Sequence, residues 1–409
     1  QSDAAVTFRR KDLRSGETSY IYHGNDGTAM PWNDTAQLDF LNPATREAVF
    51  QQIKHVAKNF PIIRFDAAMT LAKKHIQRLW YPRPGHGGDI AGRAQSGLDE
   101  ATFHSLIPKE FWREVVDRLS AELPDTLLLA EAFWMMEGYF VRTLGMHRVY
   151  NSAFMNMLKN QENQKYRDTI KGTISFEPEI LKRFVNFMNN PDEDTAVAQF
   201  GEGDKYFGVC TLLATMPGLP MFGHGQIEGY KEKYGMEYSR AYWDERPNQW
   251  LVDEHHRRIF PLLKKRYLFS GVDNFYLFDL VADNHVHESA FCYINGTEHE
   301  KALVLYNNQY DSVEGWIKNS APKLEKQGED KRTETISLAE AMGLTVGGRR
   351  YVLYEAFPGN LTYMVPSLKV FDEGGFFHLN GYEAKIMLNI REVEDVDGTY
   401  LFSLDKTMD

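Results

Sequence analysis

Cysteine is almost absent: Cys210 and Cys292 are the two thiols in 409 residues. They stand far apart in apolar surroundings, which excludes a disulfide framework or a CxxC metal site and predicts buried free thiols. Positive charge is in deficit, with 46 Lys and Arg against 57 Asp and Glu and a formal charge of −11. Nucleic acid and anionic membranes both need clustered cations, so neither is an expected partner, and the partner sought is a neutral one. No apolar run reaches the roughly 18 residues of a membrane span. The opening QSDAAVTFRRKDLRSGE has no signal-peptide core, which favours a cytoplasmic address without specifying one. The phosphate cradle GxxxxGK[ST] and the metal motif HExxH are missing as well, and the paired histidines, His255/His256 and His285/His287, read as surface features. No cofactor is called for.

What is present is the composition of a globular enzyme or binding protein, 43% hydrophobic and 25% charged, long enough for two domains. From about residue 40 to 268, apolar runs of strand length alternate with amphipathic stretches. The predicted strands are PIIRFDAA (61–68), DTLLLAEAFW (125–134), RVYNSAF (148–154), FVNFMNN (184–190) and ATMPGLPMF (214–222). Helix spacing places Val49, Phe50, Ile53, Val56, Ala57 and Phe60 on one face, and Phe111, Trp112, Val115, Val116 and Leu119 on another, with Pro43 and Pro108 expected in the opening turns. Strands buried on both faces between helices predict an α/β fold with a parallel sheet, and a (β/α)8 TIM-barrel type domain is the favoured form. The strands visible are too few for a closed barrel. Beyond about 272 the pattern turns to period two with intervening turns, which predicts an antiparallel β-sandwich. The expected domains are therefore 1–270, with a long Gly-rich loop insertion near 81–105, and 271–409.

The run FPIIRFDAAMT raises a question, because a strand that looks fully buried ends on Arg64 and Asp66. In a parallel sheet or barrel the C-terminal ends of the strands line the site. Two other strands do likewise, with Glu131 after LLLA and Asp192 after FMNNP. Singly, such an acid is ordinarily a helix cap or loop residue. Three on successive elements, two of them inside apolar runs, point to one shared site. A pair of carboxylates flanking one bond is what retaining glycoside hydrolysis requires, one as nucleophile and the other, its pKa raised, as proton donor.

These segments resemble the motifs of the α-amylase family, glycoside hydrolase family 13. IIRFDAA is similar to that family's strand-4 motif, LLLAEAFW to its strand-5 motif, FMNNPDE to its strand-7 motif and MPGLPMFGHGQIEG to its eighth-strand segment. The resemblance implies a retaining hydrolase of α-linked glucans or oligosaccharides, with Asp66 as nucleophile, Glu131 as acid/base and Asp192 as the third carboxylate. Asp194 is the alternative to Asp192. Arg64, Trp134 and Asn190 would contact substrate, and Gln226 and Glu228 are further contact candidates. An α-glucan transglycosylase or a non-catalytic carbohydrate-binding relative fits the same motifs. The chain departs from the family at Pro191, where a histidine is usual, and at Met69 and Thr70, where Lys-His is common, which leaves calcium possible rather than implied. The family's Asn-His motif and the first barrel strands have no counterpart, and residues 20–43 look like the end of a long loop. The resemblance therefore suggests a barrel without its first third, completed by a missing N-terminal segment or another chain.

Overall fold

In the computed structural model the described residues are 7–26, 32–86, 91–133, 136–233, 240–327, 330–359 and 361–400. They form two compact units, Gln1–Tyr150 and Asn151–Asp409.

The first unit opens on an antiparallel meander of β1 (Thr7–Lys11), β2 (Thr18–Gly24) and β3 (Trp32–Ala36). The β1–β2 turn is made by Asp12, whose Oδ1 accepts the N–H groups of Arg14 and Ser15 at 2.8 and 2.9 Å, and by Gly16 in the left-handed region at φ 76°. Part of the stretch expected as loop is thus strand. Its residues are mostly exposed or half-buried, so no apolar period marks it.

The α/β part follows: α1 (Pro43–Asn59), β4 (Ile62–Phe65), α2 (Lys73–Trp80), α3 (Glu100–Leu106), α4 (Phe111–Glu122), β5 (Leu127–Ala130), α5 (Glu137–Arg142) and β6 (Arg148–Tyr150). Helix α1 starts as its sequence dictates, with Pro43 in the first turn and Asn42 Oδ1 accepting Ala44 N at 2.9 Å. Every residue of the apolar stripe on α4 is buried. Pro108, however, lies ahead of that helix, whose N-cap is Glu110; its fixed φ serves the break after α3 instead. Strands β4, β5 and β6 pair in parallel, Phe65 opposite Ala130 and Leu129 opposite Arg148. Among the described residues β5 is the one strand partner of β4, so β4 is an edge and Ile62 is 57% exposed, where full burial was expected.

The second unit begins with α6 (Ser152–Lys159), α7 (Asn163–Phe176), α8 (Pro178–Arg183), β7 (Phe184–Phe187), α9 (Ala196–Phe200), α10 (Asp204–Thr215), β8 (Leu219–Met221) and α11 (Gln249–Glu254). Strands β7 and β8 are parallel, Phe187 opposite Met221. The run expected as a strand over 214–222 is divided. Its first residues finish α10, because Pro217 offers no backbone donor and Gly218 sits at φ 104°, and the strand starts at Leu219. His255 is fully buried rather than superficial, its ring nitrogens 2.8 Å from Leu251 O and 3.1 Å from the Tyr206 hydroxyl.

The same unit carries antiparallel sheets of six strands (361–366, 350–357, 384–394, 301–307, 290–296 and 276–278 in spatial order) and four strands (285–286, 281–282, 313–317 and 375–379). Phe278, Leu303, Leu305, Ile317, Val352 and Leu379 lie in one buried core there. Two short helices interrupt the β pattern. Leu338–Met342 opens on a capping box between Ser337 and Glu340, a signal that period-two reading passes over. Both thiols are free and buried. No helix among the described residues is long and apolar enough to cross a membrane.

Candidate active site

Alternation along β4 turns Ile63 and Phe65 inward, each 8% exposed, and sends Arg64 to the other face. Asp66 is the first residue past the strand and is half-exposed. Glu131 is the first residue past β5. Its N–H extends the ladder by one rung to Phe65 O at 3.0 Å, and its side chain is 3% exposed.

The chain turns sharply after Asp66, placing Ala67 in the left-handed region at φ 42°, ψ 39°. A residue with a Cβ adopts that conformation at a cost of about 1–2 kcal/mol. Two bonds offset it: Ala67 N donates to Glu131 Oε2 at 2.9 Å and Ala68 N to Glu131 O at 3.0 Å. The indole of Trp112 in α4 secures the turn by donating to Ala68 O at 2.7 Å. The strained turn thus delivers a backbone amide to a buried carboxylate.

Arg64 joins the two acids. Its Nη1 donates to Asp66 Oδ1, its Nη2 lies 2.9 Å from Glu131 Oε2, and its Nε donates to the Tyr150 hydroxyl at 3.1 Å. Burial works against the guanidinium's charge, yet Glu131, Tyr150 and Asp66 together raise its pKa. Glu131 is pushed up to about 7, chiefly by burial; the Ala67 amide and Arg64 pull it down, and the neighbouring Asp66 adds to the rise. Burial likewise raises Tyr150, against the pull of Arg64. Glu131 Oε1 is buried without a hydrogen-bond partner among the described residues. The result is a pair of carboxyls in unequal environments, one wet and one dry and poised to hold a proton near neutrality.

Asp192 lies in the second unit, beyond the end of β7, and is exposed. Asn190, 5% exposed, spends its Oδ1 on the N–H groups of Asp192 and Glu193, both at 3.0 Å, and so shapes the loop that carries Asp192. The Asp194 carbonyl accepts from Gln199 Nε2 at 2.8 Å. Gln226, expected to face substrate, is 1% exposed and turns its Oε1 to Gly223 N at 3.2 Å, tying the loop after β8. Trp134 lies outside the described residues.

Arg64, Asp66 and Glu131 are therefore brought together, and Tyr150 and Ala67 join them unannounced. Tyr150 is the last residue of β6 and 2% exposed, which in sequence is indistinguishable from core; the strand expected over 148–154 stops there because the chain enters α6 at Ser152. Among the described residues no group of three or more His, Cys, Asp or Glu is arranged to hold a metal ion.

No protein-family model matches the sequence, and no curated protein matches it. Solved structures do. An Anoxybacillus α-amylase is similar over 88% of this chain and 66% of its own, with a TM-score of 0.55 at 14% identity. The Geobacillus thermoleovorans α-amylase, solved with acarbose, is similar over 87% of this chain and 66% of its own, at TM-score 0.57 and 13% identity. The Nostoc punctiforme debranching enzyme is similar over 94% of this chain and 68% of its own, at TM-score 0.56 and 13% identity. The chain spans 66% of the length of each of these two amylases. It has an α-amylase-like fold, parallel β/α elements followed by antiparallel sheets, at a sequence distance that limits the finding to the fold.

Proposed function

We propose that the chain is a retaining glycoside hydrolase acting on α-linked glucans or oligosaccharides. The observation that carries this reading is the split between two carboxyls sharing one guanidinium: Glu131, buried with a pKa near 7, and Asp66, half-exposed against Arg64. Such a split assigns acid and nucleophile by environment. Glu131 in its protonated form gives its proton to the glycosidic oxygen while the Asp66 carboxylate attacks the anomeric carbon. The carbon–oxygen bond breaks, the leaving sugar departs with the proton, and a glycosyl ester forms on Asp66. Glu131, now a carboxylate, takes a proton from water as that water attacks the same carbon and frees Asp66. Two inversions give retention.

Arg64 orients the nucleophile through its bond to Asp66 and eases the charge that Glu131 acquires once its proton has left. By the motif resemblance alone, Asp192 and Trp134 are assigned to substrate, and Asn190 fixes the loop that carries Asp192. The substrate class rests on the fold shared with α-amylases and a debranching enzyme, one of them bound to acarbose. The test uses aryl α-maltosides of good and poor leaving ability. Asp66→Asn lowers hydrolysis of both by a factor of roughly 10⁴, whereas Glu131→Gln loses roughly 10²–10⁴ on the poor leaving group and much less on the good one. Hydrolysis of the poor substrate unchanged by Glu131→Gln overturns the assignment.

A further inference from the structure

In the second unit, the chain between β8 and α11 is tied crosswise by two carboxylates. Glu245 accepts the N–H groups of Lys231 and Glu232, both at 2.8 Å. Glu232 in turn accepts those of Tyr242 and Trp243 at 2.8 and 2.9 Å. Beyond them Asn248 N donates to Glu228 O at 2.8 Å, and its side chain caps α11 through Leu251 N. Carboxylate-to-amide bonds are about twice as strong as neutral ones, so four of them fix the backbone beneath two adjacent residues.

Those residues are the aromatics Tyr242 and Trp243, 67% and 59% exposed. Fixing a backbone while leaving its largest side chains in water does nothing for the core. It does prepare a surface for a ligand, because the ordering entropy is spent in advance. An anionic ligand is disfavoured, because Glu232 holds the backbone of the pair and Asp244 and Glu245 follow it in a chain of formal charge −11, and a neutral one is taken. A pyranose ring meets both conditions, with a C–H face that stacks on an aromatic ring and hydroxyls at its edge. Strands β7 and β8 are parallel, so this loop and the one bearing Asp192 leave the same edge of the pair.

We propose that the Tyr242–Trp243 loop is a carbohydrate-binding platform that stacks pyranose rings of a neutral glucan chain. The choice of glucan rests on the function proposed above; the platform does not depend on the acids. The probe is maltoheptaose, titrated calorimetrically against full-length Glu131→Gln protein so that it is not consumed. Trp243→Ala and Tyr242→Ala in that parent each raise Kd about tenfold, as loss of an aromatic anchor does. Trp243→Phe retains most of the affinity. Glu232→Gln weakens binding although it removes no sugar contact, because it loosens the tie. All these side chains lie outside the core, so the variants fold. A Kd unmoved by both alanine variants, or no heat with the parent, overturns the platform. Hydrolysis that survives Glu131→Gln overturns the catalytic reading instead, and the affinity comparison is then made at a temperature and time over which chromatography shows the maltoheptaose intact.

Discussion

Glu131 links stability to pH through a carboxyl that burial holds well above its ordinary pKa. Its folded pKa of about 7 stands above the ordinary 4.5, and its side chain is 3% exposed. At pH below 4.5 both folded and unfolded chains hold the proton. Between 4.5 and about 7 the unfolded chain has released it and the folded chain has not, so unfolding releases a proton and rising pH favours it. Stability therefore falls by about 1.4 kcal/mol per pH unit across this window, roughly 3 kcal/mol in all, and is level above it. Glu131→Gln removes the term, since the amide does not titrate. The measurement is urea unfolding of wild type and variant from pH 4.5 to 8, followed by tryptophan fluorescence, with the difference between them as readout. That difference shifts in favour of the variant as pH rises and stops shifting above pH 7. A difference flat across the range refutes the reasoning, for Glu131 would then ionise alike in both states. The same proton sets the alkaline limb of kcat/KM near pH 7 if Glu131 is the acid.

Arg64→Met removes the cation that lowers Glu131, so the alkaline limb moves to higher pH, and the rate on an aryl maltoside drops by roughly 10²–10³ for want of the group that orients Asp66. Tyr150→Phe leaves Arg64 Nε without its partner and costs about 1–3 kcal/mol in urea unfolding. Gly208→Ala sets a Cβ 1.9 Å from the ring of Tyr306, which is fully buried and has nowhere to move; a loss of about 1–3 kcal/mol or more appears as a lower Tm.

The elements that could be read from sequence are those whose burial is one-sided and periodic. The five-residue apolar stripe on α4 and the Asn42–Pro43 start of α1 each follow from a local rule, and each stands where that rule puts it. The misreadings come where burial is set by distant neighbours. Ile62 looks like core and is 57% exposed because β4 is an edge, and Phe60, at the end of α1, is 61% exposed. The meander of β1 to β3 has too little burial to leave a period, and His255 is buried against Tyr206 of α10, a contact no local pattern announces.

The candidate site was legible in its charges and hidden in its support. Acids that interrupt an apolar strand announce themselves, since an unpaired buried carboxylate is too costly to be accidental. What holds them was silent. Tyr150 is an ordinary strand residue until Arg64 Nε is found on its hydroxyl, and nothing in the letters AA says that Ala67 takes a conformation most residues avoid. In the function proposed above, that turn decides the chemistry. It aims the Ala67 amide at Glu131 Oε2, the oxygen Arg64 already approaches, and leaves Oε1 buried and unpartnered. With both stabilising groups on one oxygen, the proton of the neutral acid belongs on the other, the oxygen free to present it to a substrate.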